Sequence, residues 1–301
     1  MSFISILTYF IGGYTTLVIS LYMLSAVVPA AGFAARTLAA YISLIICAIY
    51  GALASIVLRI LGREQIAQWT TARAFKYVMA LTTGITFEVI DPKRHLETVR
   101  PAVFIGNHQT ELDVLMLGCM FPKYCSVTAK KVLKNVPFLG WFMSLSGTIF
   151  IDRKNSKDAR EAMAGAAREI QKKKQSVYMF PEGTRSYAKE PDLLPFKKGA
   201  FHLAVQAGVP IVPVVAANYS HVLYPKGLVF KAGKIPVKVL DPIPTAGLKP
   251  EDVDELTRNT RDLMLKEVVA LTQKVRNKPV AVPATSGDGV VHASGADATL
   301  S

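Results

Sequence analysis

The chain has 301 residues, is 51% hydrophobic and carries a formal net charge of +13, with a mean hydropathy of +0.31. Apolar and basic character together point to a membrane-associated protein that handles anionic groups such as lipid headgroups, phosphates or CoA. The sequence has no zinc finger, RNP-like aromatic motif or basic helix, which argues against nucleic acid. Cys47, Cys119 and Cys125 form no CxxC pair, so neither a disulfide framework nor a zinc site is expected.

No charged residue occurs before Arg36, and residues 37–58 are again uncharged. A helix of that second length spans about 33 Å, close to the hydrocarbon thickness of a bilayer. The first stretch is too long for one straight span, and Gly12, Gly13 and Pro29 offer places to break it, which predicts a span near residues 6–27. A cleaved signal peptide fits poorly, because there is no basic start and a second apolar segment follows at once. Residues 1–60 are therefore expected to form a membrane helical hairpin, spanning or re-entrant. Arg59, Arg63, Arg73 and Lys76 follow it, while only Arg36 lies between the segments. The positive-inside rule then puts the rest of the chain on the cytosolic face, with the endoplasmic reticulum as the expected membrane.

Residues 61–276 read as one α/β domain. Strands are predicted at 86–90, 102–106, 124–129, 147–151, 176–180, 210–216 and 235–240, with helices over 111–120, 156–174, 198–207 and 250–276. Apolar strands separated by helices imply a mostly parallel sheet covered on both faces. From about 277 the chain turns to Ala, Gly, Ser and Pro, and 277–301 is expected to be a disordered tail.

Four polar insertions interrupt the apolar runs. "NHQTELD" (Asn107 to Asp113) follows the second strand, at the end where α/β proteins build sites. His108 and Asp113 are five residues apart, about 140° around a straight helix. They meet only if His108 lies in the turn before the helix and Asp113 in its second turn. The imidazole would then be the general-base half of a triad, or else an ordinary buried histidine beside a capping turn. No GxSxG supplies a serine, so the proton would come from a substrate hydroxyl. A metal is not expected, because no second histidine has ligand spacing. "FPEGTRS" (180–186) offers Thr184 and Arg185 to an anion, with Glu182 able to orient a hydroxyl or Arg185 itself. "GTIFIDRKNSKDAR" (147–160) and "AKKVLKNVPFLGW" (129–141) add Arg153, Lys154, Lys130, Lys131 and Lys134. Basic residues beside exposed apolar ones suit an interface seeking anionic lipid, though both stretches also read as solvated basic faces.

The order of these blocks resembles the glycerolipid acyltransferase family, and within it the 1-acyl-glycerol-3-phosphate acyltransferases. NHxxxxD stands at 107–113, GxIFIDR at 147–153, FPEGTRS complete at 180–186 and VPIVPV complete at 209–214. The resemblance covers roughly residues 60–245 and implies acyl transfer from acyl-CoA, as co-substrate and without a further cofactor, to lysophosphatidic acid. It makes His108 the base on the acceptor hydroxyl and Asp113 its orienting carboxylate. Asn107, Glu182, Gly183, Thr184 and Arg185 would hold the acceptor, with Arg185 on its phosphate. Arg153 and Lys130 would add positive charge there, and Pro210 and Pro213 would shape a strand beside the site. The apolar stretch 136–145 and the hairpin would set the pocket at the bilayer surface.

Three rivals stay open on the sequence alone. A related acyltransferase would use glycerol-3-phosphate or another lysophospholipid. A lipid hydrolase would release acyl chains to water, and a membrane scaffold would turn over nothing.

Overall fold

In the computed structural model, which describes residues 2–152, 156–280 and 283, the seven expected runs all form strands of one sheet. The elements in chain order are α1 (Phe3–Leu24), α2 (Pro29–Ile60), α3 (Ala67–Thr83), β1 (Ile85–Ile90), α4 (His95–Thr98) and β2 (Val103–Gly106). They continue with α5 (Asp113–Met120), β3 (Cys125–Lys130), α6 (Leu139–Leu145), β4 (Ile149–Ile151), α7 (Ser156–Lys173) and β5 (Ser176–Met179). Last come α8 (Gly199–Ala207), β6 (Ile211–Ala216), β7 (Leu223–Tyr224), β8 (Val229–Phe230), β9 (Gly233–Val239) and α9 (Val253–Arg276).

The sheet order is β1-β9-β6-β2-β5-β3-β4, with β7 and β8 as a separate hairpin. Every neighbouring pair is parallel except β6 with β9. The three central strands β6, β2 and β5 are buried at every residue, as a sheet covered on both faces requires. Phe104, Tyr178 and Val212 pack toward α3 and α5, and Val103, Ile105 and Val177 pack toward α7, α8 and α9. Pro213 sits in a central strand, where proline normally breaks the ladder. Its missing N–H falls at the end of β9, where Pro213 contributes only a carbonyl, accepting from Leu240 N.

The N-terminal segments form two helices that are long and apolar enough to cross a membrane. Pro29 does mark the break, standing at the first position of α2, while Gly12 and Gly13 lie inside α1 without interrupting it. Arg36 does not end a segment, because α2 runs through it for 32 residues, about 48 Å. None of α1 is buried, whereas α2 buries Ala39, Ser43, Cys47, Ala48, Gly51 and Ser55 along one side. These small residues let α3 and α6 approach closely: a β-carbon at Gly51 would lie 2.6 Å from Phe142 and 2.7 Å from Thr71.

Two arginines join the layers by capping helix ends, where carbonyls lack partners within the helix. Arg36 Nε donates to Thr83 O at 3.2 Å, at the end of α3, and its Nη1 donates to Phe230 O at 3.3 Å. Tyr22 Oη donates to Thr82 O at 2.6 Å beside it. Arg73, which the flanking-charge argument counts among cytosolic positives, turns inward. It donates to the carbonyls of Gly118, Cys119 and Phe121 at the end of α5.

The expected tail lies outside the described residues except for 277–280 and 283. Replacing Arg36 with Leu leaves two carbonyls of buried residues without donors, and should cost about 1–3 kcal/mol. A lowered unfolding midpoint in detergent is the expected result, and an unchanged midpoint would show that other donors serve Thr83 and Phe230.

Candidate active site

Strand β2 ends at Gly106 against the side of Tyr178 on β5. A β-carbon there would lie 1.9 Å from Tyr178 Oη, so only glycine lets the chain turn so close to the sheet. Asn107 then pins the turn to β6. Its Nδ2 donates to Ala216 O at 3.0 Å, and its Oδ1 accepts from Ala216 N at 2.9 Å. Gln109 adds a bond from Nε2 to Ala217 O at 2.9 Å. Asn107 is thus buried and spent on backbone, rather than presented to a ligand as expected from the sequence.

Helix α5 begins at Asp113, so Asp113 stands in its first turn and not the second. The carboxylate folds back over the preceding turn. Its Oδ2 accepts from His108 Nδ1 at 2.7 Å, Gln109 N at 2.6 Å and Thr110 N at 3.2 Å. Its Oδ1 accepts from Tyr219 Oη at 2.6 Å. Asp113 is 1% exposed and the His108 side chain 19%. With Nδ1–H given to the carboxylate, Nε2 carries the free lone pair. Phe180 stacks on the imidazole, with ring centres 4.1 Å apart and planes 18° apart.

The 180–186 turn leaves the adjacent strand β5 and pairs with this loop: Ser186 N donates to His108 O at 2.9 Å and Tyr187 N to Gln109 O at 3.1 Å. Glu182 is buried beneath it. Its Oε1 accepts from His108 N at 2.6 Å and its Oε2 from Leu194 N at 3.0 Å. Both oxygens are committed to backbone, so Glu182 braces the histidine loop and orients neither a ligand nor Arg185. Burial raises its pKa from 4.5 to about 8, outweighing the two N–H bonds that favour the anion. Gly183 takes φ +71°, and the Lys197 side chain lies across it, about 3.0 Å from where a β-carbon would be. Thr184 is exposed.

Arg185 reaches Glu111, a residue without a role in the sequence reading. Its Nη1 donates to Glu111 Oε1 at 3.0 Å, and Tyr187 Oη donates to the same oxygen at 2.5 Å. Arg185 Nε is buried and has no acceptor among the described residues.

Of the remaining expected cations, Lys130 is exposed at the carboxyl end of β3, beside β5, and Arg153 lies outside the described residues. Among the described residues no group of three His, Cys, Asp or Glu side chains could hold a metal ion. A surface cavity of about 550 Å³ lies at the opposite, amino end of β2 and β6, lined by Arg100, Lys174 and Pro210, so Pro210 does not stand beside the site as expected, and the His108 and Arg185 turns do not reach the cavity.

Sequence reasoning also misses Tyr219, the partner of Asp113 Oδ1. It follows the last matched motif by five residues, and no spacing marks it as a partner of Asp113.

Comparison with known proteins gives the class of this mostly parallel α/β chain. A family model described as acyltransferase matches residues 88–217. The 1-acyl-sn-glycerol-3-phosphate acyltransferase of Saccharomyces cerevisiae is 45% identical over 236 residues, 77% of this chain and 77% of the relative. The human 1-acyl-sn-glycerol-3-phosphate acyltransferase beta is 40% identical over 218 residues, 72% of this chain and 74% of the relative. The chain therefore belongs to the acyltransferase family, in the group that holds these 1-acyl-sn-glycerol-3-phosphate acyltransferases. The crystal structure of the 1-acyl-sn-glycerophosphate (LPA) acyltransferase PlsC from Thermotoga maritima shares the fold, with a TM-score of 0.54 at 20% identity over 76% of this chain and 97% of that one.

Glu182 gives a pH prediction. Its folded value lies above the unfolded one, so its contribution to stability is full below about 4.5 and is lost as pH rises toward about 8. Glu182→Gln removes that titration and one N–H acceptor, which should lower stability at acid pH yet flatten its decline across this window. Unfolding midpoints measured from pH 4.5 to 8 should show the flatter profile, and an unchanged slope would place the titration elsewhere.

Proposed function

We propose that this acyltransferase moves an acyl chain from acyl-CoA to the sn-2 hydroxyl of lysophosphatidic acid, giving phosphatidate. The observation that carries this reading is the 2.7 Å bond between His108 Nδ1 and a buried Asp113 carboxylate, with Nε2 left to accept a proton. The names of the relatives supply the acceptor.

In this reading His108 Nε2 takes the proton from the acceptor hydroxyl as the oxygen attacks the thioester carbonyl. Asp113 holds the ring and balances the imidazolium that forms. The tetrahedral intermediate expels the CoA thiolate, which takes the proton back from Nε2. A thioester is already activated, so no acyl-enzyme is needed, in keeping with the missing serine elbow.

The acceptor phosphate would sit on Arg185. Glu111 occupies Nη1 only, which fixes the guanidinium while leaving the Nε–Nη2 edge for a bidentate bond. The buried Nε without an acceptor is a donor that a phosphate oxygen would satisfy. Thr184, Lys130 and Arg153 are proposed to add to this anion site.

The bilayer is the proposed partner of the hairpin. In support, apolar side chains of α1 and the outer side of α2 are exposed along their length. Beside α2, Trp141 is 57% and Val132 66% exposed, with Phe138 packed edge-on to Trp141 at 5.0 Å and Lys130 and Lys134 exposed nearby. Such a basic-aromatic edge suits an anionic lipid surface, and the charges after α2 favour the cytosolic face.

Purified protein in detergent with labelled acyl-CoA tests the reaction. Phosphatidate should form from lysophosphatidic acid and be lost in a folded His108→Ala variant. Transfer only to glycerol-3-phosphate or lysophosphatidylcholine would change the acceptor, free fatty acid alone would indicate a hydrolase, and retained activity would remove His108 from the mechanism. Arg185→Lys replaces a fork with a point charge. It should raise the KM for lysophosphatidic acid about tenfold or more with kcat less affected, and an unchanged KM would put the phosphate elsewhere.

A further inference from the structure

We propose that Tyr219 is a positioning residue of the reaction, acting through Asp113 to set the orientation and proton affinity of His108. The inference rests on the acyl-transfer reading for its kinetic consequences, but its geometric basis stands independently. Tyr219 lies beyond the residues matched by the family model and is completely buried, packed edge-on against Phe87 at 5.8 Å.

Its hydroxyl is the sole partner of Asp113 Oδ1 among the described residues, while Oδ2 serves His108 and the two backbone N–H groups. The phenol is held in turn from behind. Thr110 N donates to Tyr219 Oη at 3.1 Å, Thr110 Oγ1 lies 3.0 Å from it, and Leu112 N donates to Thr110 Oγ1 at 3.1 Å. With its own proton on Oδ1, the phenol accepts from Thr110, so the whole relay points at the carboxylate. Burial first, and then the Asp113 charge, push Tyr219 well above the usual phenol range, so it acts as a donor throughout the working pH range.

The hydroxyl does two things. It fixes the carboxylate plane, and with it the imidazole hydrogen-bonded to the other oxygen. It also draws negative charge from Asp113, which tempers the carboxylate's pull on an imidazolium proton. Removing it leaves a more intense carboxylate charge, and His108 should then hold its proton to higher pH. Other titratable groups face the pair: Glu182 beneath the His108 backbone, the Arg185–Glu111–Tyr187 cluster on the neighbouring turn, and Tyr178 on β5. None of them donates to Oδ1, so the substitution leaves their own contacts in place.

Tyr219→Phe keeps the ring packing and deletes the donor. Three results are expected: kcat falls on the order of tenfold or more, KM for both substrates stays near its original value, and the acidic limb of the pH–rate profile moves to higher pH. NMR titration of the His108 imidazole should show its midpoint moving the same way, a readout that needs no turnover and so separates failure of this inference from failure of the acyl-transfer reading. If the phenylalanine variant does not fold, a ring-fluorinated tyrosine at 219 keeps the bond, strengthens the donor and should move the midpoint to lower pH. A fall in thermal stability with kcat, acidic limb and imidazole titration all unmoved would make Tyr219 merely structural and overturn the proposal.

Discussion

A carboxylate that is 1% exposed organises this molecule's chemistry. Left unpaired, a buried charge of this kind costs several kcal/mol, and Asp113 escapes that cost only because four donors converge on it from two segments. The convergence dictates the conformation of residues 108–110, brings the segment after β6 alongside the turn after β2, and leaves the imidazole one orientation. Glu182 performs the matching task beneath the loop. Between them the two carboxyl groups hold His108 by its ring and by its backbone, and only Nε2 is left uncommitted.

The same economy extends toward the hairpin. Arg36 of α2 caps the end of α3, and Arg73 of α3 caps the end of α5, the helix whose first residue is Asp113. Unsatisfied helix carbonyls thus become the joints between layers. The small-residue side of α2 permits the approach, and its outer side keeps an apolar surface. The apolar helices are thereby braced against the helix that carries the Asp113 carboxylate.

All seven strands of the sheet were legible as apolar runs, since strands buried on both faces need no subtler pattern. The His108–Asp113 pairing was legible as a possibility, but the helix expected from residue 111 begins at Asp113, because the preceding turn is closed by side chains: Asp113 takes the N–H groups of Gln109 and Thr110, and Thr110 Oγ1 takes that of Leu112. Helix α3 escaped notice: residues 67–83 mix Gln, Thr, Arg and Lys with apolar residues, and Gln68 and Arg73 spend their side chains on partners 45 or more residues away. Asn107 and Glu182 were expected to face a ligand, since sequence shows a polar side chain but not the backbone group that consumes it. Glu182 was a candidate to orient either a hydroxyl or Arg185, but Arg185 meets Glu111, a contact made by the folding of one turn against another. Tyr219 was invisible for the same reason, its importance lying wholly in where β6 delivers it.

The most direct test of the account is a structure of the protein with lysophosphatidic acid and an unreactive thioether analogue of acyl-CoA. The account places the acceptor hydroxyl within hydrogen-bond reach of His108 Nε2, about 2.6–3.2 Å, with the phosphate on the Nε–Nη2 edge of Arg185. A hydroxyl bound away from Nε2, with the phosphate elsewhere, would contradict it.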